Sequence, residues 1–164
     1  MAHFPKLIPA FTVQVAIDPP SSVSPNLTFV PFAPKGGSIV SEPSYPIALK
    51  ADIEHGADYI TTAPGGKYVK LEVHGIARDT LTGGLLRIRY TGRIPTTGPA
   101  GKVLRGEAGA GTTPFGEAFM HVEFETGAEA LAALQEKVYV GSGHFVIEPG
   151  KPVIVEYKVS EVSA

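Results

Sequence analysis

Asp58 lies in the sparsely charged run Gly56-Ala57-Asp58-Tyr59-Ile60. A carboxyl held among apolar neighbours has its charged form disfavoured, which makes it a proton donor near neutral pH. His74 and Arg89 follow on two later alternating runs. If they share a cavity with Asp58, they can relay a proton or hold an anionic oxygen. Asp58, Glu72, His74, Arg87 and Arg89 are together too polar for one face of a core. The chemistry these residue types suit is acid–base catalysis, with Asp58, His74 and Arg89 as the candidate catalytic residues. The competing reading makes Asp58 a turn residue bonded to its own backbone and the two arginines a solvated strand face.

Other chemistries lack an anchor. The five histidines, His3, His55, His74, His121 and His144, are scattered singly. His121 and Glu123 share one strand face, a spacing that two metal ligands use. No second His-rich pair accompanies them, so the expectation is a polar face and no metal. Gly109-Ala110-Gly111 and Gly141-Ser142-Gly143 lack the third glycine and the following helix of a phosphate cradle. There is no Gly-x-Ser-x-Gly elbow, and without cysteine there is neither a thiolate nor a disulfide. A net charge of −2 gives no electrostatic reason to expect nucleic acid or an anionic membrane as partner. No stretch approaches the roughly 18 apolar residues of a membrane span, and the start lacks a long apolar run. The expectation is a cytoplasmic protein that needs no cofactor.

The elements that must position Asp58 read as strands. Glycine (19 residues) and proline (15 residues) punctuate segments of period-2 alternation. Phe11–Ile17 is a first strand, stopped by Asp18-Pro19-Pro20; Leu27–Phe32 is a second, with Pro31 arguing for an edge or bend. Ile47–Glu54, Val69–His74, Leu86–Thr91 and Ala118–Glu125 alternate clearly. Lys137–Glu148 and Val153–Val159 supply the last two strands. Only Gly127–Glu136 looks helical, with Thr126 as N-cap and Glu129 completing a capping box. One short helix cannot cover a sheet of so many strands. The predicted architecture is therefore all-β: a closed antiparallel β-barrel of about eight to ten strands with one short helix near the C-terminal third. A two-sheet sandwich is the alternative. Residues 1–164 are read as one domain, with a core over about 8–160. Residues 93–116, rich in Gly, Pro and Thr around Val103 and Leu104, form a long loop, either a lid or disordered. Ser21–Ser24 reads as a short linker.

The series His55-Gly56-Ala57-Asp58-Tyr59, Gly83-Gly84 leading into Leu85–Gly92, Phe124-Glu125-Thr126-Gly127 and Val138–Gly143 resembles the family called domain of unknown function 3237. The order of these blocks carries the resemblance, over roughly residues 8–160. It implies a closed antiparallel barrel with a central cavity, commonly in a homo-oligomer, and Asp58 matches the family's aspartate. The chain looks closer to the fungal branch than to bacterial members, where a tryptophan usually replaces Tyr59 and an Arg-Thr pair replaces Phe119-Met120. Some fungal members act in secondary-metabolite biosynthesis as cofactor-free cyclases that add a phenol oxygen across a prenyl alkene. Such a reaction needs a proton donor, exclusion of water and a fixed conformer. On this reading Asp58 is the acid, and His74 or Arg89 binds the phenolic oxygen of a hydrophobic aromatic substrate. Tyr90, Phe119, His121, Glu123 and Phe145 are the candidate substrate-binding residues, the aromatic faces stabilising a cation. The alternative is a lipocalin-like carrier that makes no bonds.

Overall fold

A computed structural model describes residues 2–164. Nine strands run in chain order: β1 (Lys6–Ile17), β2 (Ser21–Ser24), β3 (Leu27–Ser41), β4 (Lys50–Thr62), β5 (Tyr68–Asp79), β6 (Leu85–Pro95), β7 (Ala118–Thr126), β8 (Tyr139–Val146) and β9 (Val153–Ser163). They form one antiparallel sheet in the order β1-β9-β8-β7-β6-β5-β4-β3-β2, and β1 also pairs with β3. That pairing closes β1 and β3–β9 into an eight-stranded barrel, with β2 added on β3. The closed antiparallel barrel expected from the alternation is the observed fold. Closure leaves the long strands without a bare edge, which an open sheet with so little helix could not avoid.

Four local expectations are corrected. Ser21–Ser24 is no linker: it pairs with the start of β3, Ser21 opposite Phe29. β3 does not stop at Phe32; it continues to Ser41, bending where Lys35 takes a φ of 55°. Residues 93–116 are not wholly irregular, since they contain a helix, α1 (Gly98–Leu104), with Pro99 in its first turn, where a missing N–H costs nothing. The helical segment near the C-terminal third is a 3₁₀ helix over Glu129–Glu136, and its N-cap is Ala128. Thr126 still serves it, because its Oγ1 accepts the Ala128 N–H at 3.1 Å.

The two ends of the barrel are closed differently. At one end, here the lower, lie the β3–β4 connection, the β5–β6 turn and the 3₁₀ helix. Phe11, Tyr45, Phe124 and Tyr139 fill it, three ring pairs edge to face and Phe11–Tyr139 tilted, with centroids 5.1–5.5 Å apart. Leu131 and Leu134 of the 3₁₀ helix are fully buried beneath them. Tyr139 donates to Tyr45 (2.8 Å) and Tyr45 to Glu161 (2.6 Å), whose other oxygen accepts from Lys137 at 2.8 Å. The Lys137 ammonium, then the Tyr45 hydroxyl, hold the Glu161 carboxyl below its ordinary range, against a small opposing effect of burial. The β5–β6 turn rests on Asp79, which accepts from Lys50 N–H (3.1 Å), Thr82 N–H (3.0 Å) and Thr82 Oγ1 (2.7 Å). Burial pushes this carboxyl up, but the Thr82 and Lys50 bonds together outweigh it and hold it low. Asp79→Asn turns an NH₂ toward those donors and is expected to cost about 1–3 kcal/mol. A urea midpoint equal to that of the parent would show that the turn does not depend on the carboxylate.

Candidate functional site in the barrel lumen

Period-2 alternation from the buried Ala51 and Ile53 would send Asp58 outward. A bulge prevents this: Ile53 faces Ala77, but His55 already faces Ile76, so one extra residue sits on β4. The side-chain parity flips, and Gly56 and Asp58 point inward. The inward row then reads Val30–Asp58–Val73–Tyr90–Val122–Tyr139 across six strands. Asp58 is 9% exposed and sits mid-strand between Val30 and Val73. It is not a turn residue.

Burial pushes the Asp58 carboxyl up to about 7. The Glu72 N–H, 3.2 Å from Oδ1, and the Tyr59 N–H pull the other way, while the Glu72 charge adds to the rise. Its titration therefore falls near neutral pH, well above that of an ordinary carboxylate. Tyr90 and Tyr157 share the lumen with it, rings edge to face at 5.0 Å. Burial raises both phenols well above their ordinary range; Asp58's charge and each other's presence also act on them. The site is thus one carboxyl able to give a proton and two phenols that stay neutral, inside an aliphatic wall.

Glycines make this interior possible. The Phe32 ring lies over Gly56 and Gly75, and the Tyr157 ring over Gly143, where a Cβ would stand 2.4 Å from ring carbon Cδ1. These rings lie along the inner wall only because the neighbouring strands carry no side chain at those positions.

The candidate residues divide between the two faces of the wall. Asp58, Tyr90 and the buried Phe145 face the lumen. His74, Arg89, Phe119, His121 and Glu123 face outward: Ala57–His74–Arg89–Glu123 is one outer row, and Phe119 is 58% exposed. The structure therefore does not bring His74 and Arg89 to Asp58. On the outside His74 Nε2 is 3.6 Å from Glu72, and Arg89 Nη1 is 3.6 Å from Glu123. Pairs this exposed contribute little to stability. Arg89 Nε is buried without a partner. Phe119 and His121 line an outer groove of about 1150 Å³ with Tyr59, Glu72, Arg93 and Lys158. A second hollow of about 400 Å³ joins His121 to Arg89, Glu123 and Lys137. Among the described residues no three His, Cys, Asp or Glu side chains gather as metal ligands would.

Tyr157, beside Tyr90, is a lumen residue that sequence reasoning missed. The signal was present, because Val153, Val155, Tyr157 and Val159 alternate, and a tyrosine on an aliphatic face brings a polar handle into the interior.

The same architecture recurs in solved structures. A conserved protein of unknown function from Rhodopseudomonas palustris superposes with a TM-score of 0.75 at 20% identity, each chain covered to 99%. A β-barrel-like protein from Acinetobacter baumannii gives 0.69 at 18% identity, again over 99% of both chains. A protein of unknown function from Clostridium acetobutylicum gives 0.70 at 14% identity, covering 98% of this chain and all of its own. At these identities the likeness is one of fold. No curated protein matches the chain. The family model described as protein of unknown function DUF3237 matches residues 5–162, and with nearly the whole barrel inside that match the chain belongs to this family.

Proposed function

We propose that the protein is a cofactor-independent cyclase, adding a phenolic hydroxyl across a prenyl alkene within the barrel, with Asp58 as proton donor and acceptor. The observation that carries the reading is a single carboxyl, raised to about 7, enclosed by valines and two neutral phenols. Asp58 protonates the less substituted alkene carbon, and the cation develops on the more substituted one. The phenol oxygen captures that carbon, and the carboxylate takes the proton the oxygen releases. Atoms and charge balance, and the acid is restored. The faces of Tyr90 and Tyr157 suit a transient cation, and the aliphatic wall excludes the water that would quench it.

His74 and Arg89, being outside, have no part in this step, nor does Phe119. Incubation of purified protein with prenylated phenols, followed by mass and chiral analysis, tests the reading. It expects an isomeric product enriched in one enantiomer. A racemic product formed no faster than in buffer would remove it.

A carrier without chemistry is favoured by a different observation, the open outer groove with its exposed Phe119 and Tyr59. Its volume is of the order of known ligand sites, about 300–1,000 Å³. Phe119→Ala separates the two: it would weaken ligand binding by a groove carrier and leave a lumenal reaction unaltered.

A further inference from the structure

Anything that reaches Asp58 must pass an end of the barrel. The lower end holds interlocked aromatic rings and the Tyr139–Tyr45–Glu161–Lys137 chain of hydrogen bonds, so opening it would strand buried polar groups. The upper end, where the β4–β5 and β8–β9 turns lie, is closed by another means. There lies the connection from β6 to β7, with α1 packed against β6 and β8. Ala100 of α1 is buried, and Val103 and Leu104 are half-buried against the core. The strand ends on this side bring an aliphatic rim, Ile17, Ile60, Ile147 and Val153, also half-buried against the core.

The connection is fastened mainly along one side. Thr113 N–H donates to the Phe145 carbonyl at 2.9 Å, and Thr113 Oγ1 accepts the Phe145 N–H at 2.9 Å. Thr112 Oγ1 accepts the Ile147 N–H at 2.9 Å. His144 Nδ1 lies 2.8 Å from the Thr113 carbonyl, and its ring stacks on Phe115 at 3.9 Å. At the other side Glu117 accepts the Ala100 N–H at 2.9 Å. Gly98 and Gly116 bound the segment with φ of 76° and 103°; Gly106 and Gly109 within it also have positive φ and nothing near a would-be Cβ. Such positions accept large changes of φ and ψ at little steric cost.

We propose that Gly98–Gly116 is a hinged cover, clasped to β8 by Thr112, Thr113 and the Phe115–His144 stack, that opens to admit a neutral, mostly apolar molecule to Asp58. An aliphatic rim under an aliphatic helix face would strip the water from an ion without replacing it. The proposal rests on the catalytic reading only for what happens to the molecule once inside.

The chain has no cysteine, so one introduced thiol reports one place. Asp58→Cys is treated with methyl methanethiosulfonate, alone and combined with Thr113→Ala or with Tyr45→Phe. Losing the Thr113 hydroxyl should speed labelling about tenfold, the weight of roughly one hydrogen bond. Tyr45→Phe, which weakens the lower end, should leave the rate within about twofold. No acceleration by Thr113→Ala overturns the cover, and so does an equal acceleration by Tyr45→Phe, which would mean entry by the other end or by global unfolding. If Asp58→Cys does not fold, Val73→Cys, on the same lumenal row, carries the same comparison. Labelling does not read turnover, so an inert enzyme with a working cover remains distinguishable from an active one without it.

Discussion

Asp58→Asn is expected to lower cyclisation by roughly 10²–10⁴-fold, the usual weight of a positioned general acid, while leaving the barrel folded. Asparagine keeps an oxygen for the Glu72 N–H but has no proton to give. The pH dependence follows from the carboxyl's position at about 7. The acid must be protonated, so the parent's rate should fall as pH rises through 7, and the residual rate of the variant should not. Stability moves in the same direction. The folded state holds the proton up to about 7, the unfolded chain only to the ordinary carboxylate value of 3.8. Between these values the folded state binds more protons, so stability is greatest below the lower one and is lost as pH rises through the higher one. Between pH 5 and 8 Asp58 should cost the parent about 2–3 kcal/mol that Asp58→Asn does not lose. Denaturant unfolding at both pH values measures the difference. Parallel pH curves for parent and variant would show that the carboxyl is not buried as described.

Gly143→Ala should unfold more readily by about 1–3 kcal/mol, the range for forcing an extra carbon against a packed side chain. Its Cβ would stand 2.4 and 2.5 Å from two carbons of the Tyr157 ring. That ring is buried and already set against Tyr90, so moving it disturbs that pair. Whatever room is found displaces Tyr157 from the Asp58 site, and turnover should fall with stability. Gly127→Ala is the control, because nothing lies within 4 Å of its Cβ and its φ is not positive. It should be neutral or slightly stabilising, by up to about 1 kcal/mol. Equal losses for the two would show that glycine at 143 has no packing role.

Much of the fold was legible because a strand's period-2 pattern is local. Val69, Leu71 and Val73 against Lys70, Glu72 and His74 needed no partner strand to be read, and the structure keeps that division. The same pattern already weighed against His74 as a lumenal residue, since its neighbour Val73 claims the inner face. By contrast, α1 has only seven residues, too few for a periodic face to show, and its place depends on the apolar rim it meets. Ser21–Ser24 has no strand propensity to notice; hydrogen bonds offered by the start of β3 make it a strand.

What the sequence alone determined is the all-β alternation and a carboxyl in an uncharged stretch; a closed barrel was the expectation for want of covering helix, with a sandwich as the alternative. What the tertiary structure decided is which way that carboxyl points. Alternation within β4 sends Asp58 to the solvent side, and only the pairing with β5 reveals the extra residue between Ile53 and His55 that turns it inward. A bulge is a relation between two strands, two residues opposite one, so no reading of a single strand contains it. The same holds for Tyr157, brought beside Tyr90 by the curvature of a barrel whose strands lie far apart in the chain. The acid's identity was written locally; its burial, its raised pKa and its partners come from closure.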